Sequence, residues 1–200
     1  MADGAGGNAD HAGFDPELRI DWLEPAQLGD ELPGRLGLTI LPGKQGVSFR
    51  YPGRIYRRDL HADLAMLRSA GVVRLILLVE DAELSRWSDS GIVERAAVAG
   101  VTVLRHPMPD GHPPASIVEM EEILGEIRDG RRDGNVAVAC MGGVGRTGTV
   151  AACALLEAGL SPRSAIATVR AVRHPSAVET AAQEQFVAAF ASAAQARERA

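Results

Sequence analysis

The sequence predicts an α/β fold: a three-layer sandwich with a central, mostly parallel sheet flanked by helices. Three observations point to it. Helix-like and strand-like segments alternate from Asp59 to the end of the Val136–Ala139 run, and such alternation builds parallel sheets through helical crossovers. The strand-like segments are short, continuous apolar runs such as Val72 to Val79, the pattern of strands covered on both faces. The chain has 200 residues, 46% hydrophobic and 24% charged, which suits one globular domain with an adequate core.

Residues 1–30 mix Gly, Ala, Asp and Pro around an isolated Trp22-Leu23 and hold no sustained period. We expect a poorly ordered N-terminal tail with one docking patch, then a single domain over residues 31–195. Arg35 to Leu41 alternates weakly up to a Pro42-Gly43 turn, and Arg54-Ile55-Tyr56 is its expected strand partner in an opening hairpin. From Asp59, a plausible N-cap, Leu60, Leu64 and Leu67 recur at helical spacing until Gly71. Val72 to Val79 reads as a buried strand, Ser90 to Ala99 as a helix stopped by Gly100, and Val101 to Leu104 as a β-branched strand. Pro107, Pro109, Gly111, Pro113 and Pro114 impose a stiff loop. Ser116 and Glu119 then form a capping-box signature for a helix to about Asp129. Gly134-Asn135 precedes the strand Val136 to Ala139, and helices are expected from about Thr147, from Pro162 after a Ser161 cap, and from Glu179.

Charge and cysteine usage narrow the functional classes. With 21 basic and 26 acidic residues, the net charge of -5 gives no electrostatic footprint for nucleic acid or an anionic membrane. Cys140 and Cys153 cannot form a disulfide framework, no apolar run approaches the ~20 residues of a membrane span, and the first residues lack a secretory pattern. The expected setting is cytoplasmic and reducing, as a working thiolate requires.

The chemistry concentrates in Cys140-Met141-Gly142-Gly143-Val144-Gly145-Arg146-Thr147-Gly148. A cysteine leaving a strand, then small residues, then Arg and Thr opening a helix, forms a loop whose backbone N–H groups converge on an anion. Arg146 adds a planar, bidentate phosphate clamp. A free cysteine titrates near ~8.5, so the thiol needs this positive field to be nucleophilic at neutral pH. The same stretch satisfies the Gly-x-Gly-x-x-Gly dinucleotide pattern at Gly143 to Gly148. That reading lacks an acid about 20 positions later and further strands after it. Asp110, in a proline-stiffened loop after another strand, is the candidate acid for the departing oxygen, with His106 and His112 as rivals. A turn aspartate before glycine explains Asp110 equally well. Cys153 reads as a packed core thiol, and Arg173-His174 either rims the pocket or ends a solvated helix.

The Cys140 to Gly148 segment resembles the signature loop of cysteine-dependent protein tyrosine and dual-specificity phosphatases. Pro107 to Gly111 resembles their general-acid loop. With Leu36-Gly37-Leu38 through Leu41-Pro42-Gly43, the Asp59 helix and Ala177 to Thr180, the chain is similar to the cyclin-dependent kinase-associated phosphatase branch over about residues 35–190. The resemblance implies a phosphatase fold and a protein phosphatase acting on phosphotyrosine, and on phosphoserine or phosphothreonine, through a cysteinyl-phosphate. In it Cys140 is the nucleophile, Arg146 holds the equatorial oxygens, and Asp110 acts as acid and then base. Thr147 steadies the leaving thiolate, and the backbone of Met141, Gly142, Gly143, Val144 and Gly145 binds phosphate. No metal or cofactor is implied. Ala139 stands where the family usually has His, which implies a less depressed Cys140 pKa. It also raises the alternative of a catalytically weak pseudophosphatase that recognises phosphate. Met141 and Val144 are uncharged where phosphoinositide-directed relatives place lysines, so a phosphoprotein is the expected substrate rather than a lipid. The chain shows no evident loop near its start for stacking a phosphotyrosine ring.

Overall fold

A computed structural model describes residues 17–29, 31–48 and 51–198. Five strands form the main sheet in the order β1-β2-β7-β5-β6: β1 Asp21–Leu23, β2 Leu36–Ile40, β5 Val72–Leu77, β6 Thr102–Arg105 and β7 Asn135–Cys140. All neighbours are parallel except β1 on β2. The central strands are mainly apolar, and Val136, Ala137, Val138 and Ala139 of β7 are fully buried, as both-face coverage demands. Helices α4 (Ile117–Asp133), α5 (Gly145–Glu157), α6 (Pro162–Val172) and α7 (Ala181–Glu198) form one packed group, with α4 and α5 against β7. Helices α1 (Leu60–Ser69) and α3 (Ile92–Val98) pack together along β5 and β6. The cap expectations hold: Asp59 accepts from Ala62 N at 2.8 Å and Ser116 from Glu119 N at 3.1 Å.

Two expectations change. Arg54-Ile55-Tyr56 does not pair with Arg35 to Leu41. Strand β2 lies inside the main sheet between β1 and β7, while β4 (Ile55–Arg57) pairs with β3 (Gln45–Val47) in a separate hairpin. Strand β2 is buried on both faces, Leu36 and Leu38 on one and Gly37 and Thr39 on the other, which a two-stranded hairpin cannot give. The expected tail is also shorter than 1–30. Residues 17–29 carry β1 and bury Leu18, Leu23 and Leu28, and Gly37 lets Trp22 lie close over β2, where a side chain would meet its ring at 2.8 Å. Residues 1–16 lie outside the described residues. Helix α2 (Asp81–Trp87) was not foreseen.

Register determines what the sheet brings together. Ile40 pairs with Cys140, Leu77 with Ala139, and Leu77 with Arg105. The carboxyl ends of four strands therefore align, and the loops after β2, β5, β6 and β7 share one edge, where open α/β sheets bind ligands.

Candidate active site

Cys140 is the last residue of β7, and α5 begins at Gly145. The connecting loop is wrapped tightly. Gly143 has φ +64°, and a side chain there would sit 2.3 Å from the Thr39 carbonyl oxygen; one at Gly148 would come 2.9 Å from Val178 N. Val178 itself has φ +59°, an uncommon state for a β-branched residue. Its N–H donates to Val144 O at 3.3 Å and so braces the loop from outside. Arg173 braces it from another side: its Nε donates to Gly143 O at 2.9 Å and its Nη1 pairs with Asp21 of β1 at 2.7 Å. Of the two readings of Arg173 the structure thus supports neither a free rim nor a solvated end. Arg173 clamps the loop.

The Cys140 thiol is buried, which alone would push its pKa up. The Arg146 charge, the Thr147 hydroxyl and the backbone N–H groups of Thr147 and Val144 outweigh burial and hold it below the usual cysteine value. Thr147 Oγ1 is buried and makes no hydrogen bond of normal geometry among the described residues, which leaves it facing the sulfur. Cys153 behaves oppositely. Burial, then the nearby Glu157 carboxylate, raises its pKa, as expected of a core thiol.

Arg146, 1% exposed, is gripped by groups from helix α2 and from the loop after β6. Glu83 of α2 takes Nη1 at 2.6 Å and Nη2 at 2.8 Å, Met108 O accepts from Nη1 at 2.9 Å, and Asp110 Oδ1 lies 2.9 Å from Nη2. Burial would raise the Glu83 pKa, but the Arg146 hydrogen bond, the Glu80 backbone and the charges of Arg146 and Lys44 hold it below the ordinary glutamate value. Arg146 Nε, by contrast, is buried and makes no hydrogen bond among the described residues. It keeps a donor for an anion.

Asp110 reaches the loop as the sequence reading required. Its carboxylate is 80% exposed and stands at the mouth of a cavity of about 340 Å³. The rival acids stand aside: His106 Nε2 lies 2.7 Å from Glu126 of α4, and the His112 ring turns back to the Asp110 carbonyl. The cavity is lined by Cys140, Met141, Gly142 and Asp110, together with Lys44, Ser48, Tyr51, Tyr56 and Glu179. Lys44, Glu83 and Tyr51 were missed. Glu83 is the third helical position of a capping box with Glu80, a signal readable in the sequence that led nowhere without α2. Tyr51, between β3 and β4, supplies the aromatic wall that had seemed lacking near the chain's start, and its hydroxyl lies 3.2 Å from His174 Nε2 across the mouth.

A parallel sheet carrying a depressed thiolate inside an arginine-clamped loop defines the class of cysteine-dependent tyrosine and dual-specificity phosphatases. The chain belongs to the cyclin-dependent kinase inhibitor 3 family, whose sequence model matches residues 14–166. It is 30% identical over 178 residues to cyclin-dependent kinase inhibitor 3 of Rattus norvegicus, covering 86% of this chain and 78% of the rat protein. The Homo sapiens protein is 29% identical over the same span. A crystal structure of kinase associated phosphatase, with serine replacing its catalytic-site cysteine, superposes with a TM-score of 0.74 at 28% identity, covering 90% of this chain and 97% of that one. The active form of Tk-PTP superposes with a TM-score of 0.64 at 31% identity, covering 80% and 94%. The dinucleotide reading of Gly143 to Gly148 falls with this result, and β7 is also the last strand among the described residues.

Proposed function

We propose that this protein hydrolyses phosphomonoesters on phosphoproteins, phosphotyrosine first and phosphoserine or phosphothreonine with it, through a cysteinyl-phosphate. The observation that carries the reading is the pairing of a lowered Cys140 thiol with a buried, clamped Arg146 whose Nε donor is unused within the protein. Buried donors left without a partner mark sites that await a ligand. The Cys140 thiolate attacks phosphorus while Arg146 and the amides of Met141 to Gly145 hold the equatorial oxygens. Asp110 protonates the departing oxygen, and the same carboxylate then takes a proton from the water that cleaves the S–P bond. Thr147 donates to the thiolate as it leaves. Tyr51 at the mouth suits an aryl ester. The resemblance to kinase associated phosphatase supports a phosphoprotein substrate.

Phosphate release from an aryl phosphate across pH 5 to 8 tests these roles. Wild type should turn over, Cys140→Ser should be inert, and Asp110→Asn should fall by about 10²–10⁴ on a poor leaving group. Wild type as inert as Cys140→Ser would establish a phosphate-binding module instead.

A further inference from the structure

Lys44 is the single lysine in the sequence, against 20 arginines. It is 7% exposed and lines the same cavity as Cys140. Its backbone is fixed on both sides: Gly43, at φ +68°, donates its N–H to Asp63 at 2.8 Å, and Lys44 O accepts from Arg58 N at 3.0 Å. Its side chain lies on the Tyr56 ring, 4.1 Å from the centroid, and Nζ donates to Met141 O at 3.1 Å, one residue from the nucleophile. A desolvated ammonium is costly unless it meets carbonyls, a π face or an anion. Arginine, used everywhere else in this chain, would present a rigid fork; lysine presents a compact charge on a flexible stem that can turn toward a ligand.

We propose that Lys44 is a specificity-determining residue that selects phosphopeptides bearing a second anionic side chain next to the phosphorylated residue. This rests on the phosphoester reading of the cavity. The geometry requires the second anion beside Met141, near Tyr56, in the cavity that Tyr51 also lines. A phosphopeptide suits the site better than an anionic membrane, because the chain's net charge of -5 repels such a surface.

The test uses the full chain with Cys140→Ser and fluorescent phosphotyrosine peptides whose neighbouring residue is Glu, phosphoserine, Ala or Lys, with the unphosphorylated Glu peptide alongside. We expect the Glu and phosphoserine peptides to bind about ten-fold tighter than the Ala peptide, as one charge-assisted contact allows. Adding Lys44→Gln should bring that ratio within about two-fold; a merely structural lysine would move all affinities together. Equal affinity for Glu and Ala peptides, or a ratio that survives Lys44→Gln in a variant with native melting, overturns the proposal while leaving the phosphoester reading intact. Phosphorylated and unphosphorylated peptides binding alike overturns both. Tighter capture by phosphatidylcholine vesicles containing phosphatidylinositol bisphosphate than by any peptide overturns the assignment to a peptide.

Discussion

Arg146 is held at four points before any substrate arrives, two of them on Glu83. A bidentate carboxylate fixes the plane of a guanidinium as well as its place, so Glu83 acts through Arg146 as a positioning residue. Replacing Glu83 by Gln should lower kcat/KM on an aryl phosphate by about 10²-fold, the scale of a small misplacement in a phosphate clamp. The pair also links stability to pH. Because the folded-state pKa of Glu83 is lowered, its stabilisation is present above the ordinary value of 4.5 and is lost as pH falls through the lower folded value. The Tm gap between wild type and Glu83→Gln should therefore be widest at neutral pH and close below about pH 4. A gap constant down to pH 3 would show that the carboxylate's charge is not what matters. The residues proposed as nucleophile and clamp could be singled out in the sequence because Cys140 to Gly148 is contiguous and chemically dense. Glu83 and Lys44 were not, since each looks like ordinary surface charge until the sheet register aligns their loops with β7.

The β3–β4 hairpin stands apart from the main sheet and is anchored at its base by side chains. Arg58 and Asp63 form a buried bidentate pair at 2.8 and 2.6 Å, and the same Asp63 carboxylate accepts Gly43 N–H. Removing one member of a buried pair leaves the other charge unpaired, at a cost of about 3–5 kcal/mol. Asp63→Asn should lower the urea midpoint accordingly and raise KM by loosening the wall that carries Lys44 and Tyr51. A change below about 0.5 kcal/mol, the range of ordinary surface substitutions, would mean that the hairpin is held elsewhere. This element was misread because neighbouring strands in a sequence tend to pair, and nothing local told β4 from a partner of β2. The burial of Leu36 and Leu38 on a central strand decided the matter, and burial belongs to the tertiary structure.

Over the whole molecule, residues 17–29 and the Cys140–Arg146 loop are mechanically joined. β1 adds an antiparallel edge to β2, buries Leu18, Leu23 and Leu28 nearby, and presents Asp21 to the Arg173 that clamps Gly143. A chain starting at Glu31 loses all of this. Three buried leucines at about 1.5–3 kcal/mol each rival much of the 5–15 kcal/mol that stabilises a typical domain. Such a chain should melt at least 10 °C below the full one and lose phosphate release disproportionately. Equal Tm and activity would return residues 17–30 to the status of a tail. The α/β architecture was readable because apolar runs and caps repeat down the chain; the edge strand was not, because three residues around one tryptophan carry no period.

The two thiols sit differently in the molecule, and that governs how the protein meets oxidants. Cys140 is held toward the thiolate and opens onto the cavity, the state that peroxide converts to a sulfenic acid. Cys153 is buried on α5 with its pKa raised, and it lies eight residues beyond Gly145, or about 12 Å along the helix at 1.5 Å per residue. Oxidant should therefore strike Cys140 before Cys153, and a reducing thiol in the medium becomes a condition of keeping the nucleophile proposed here intact.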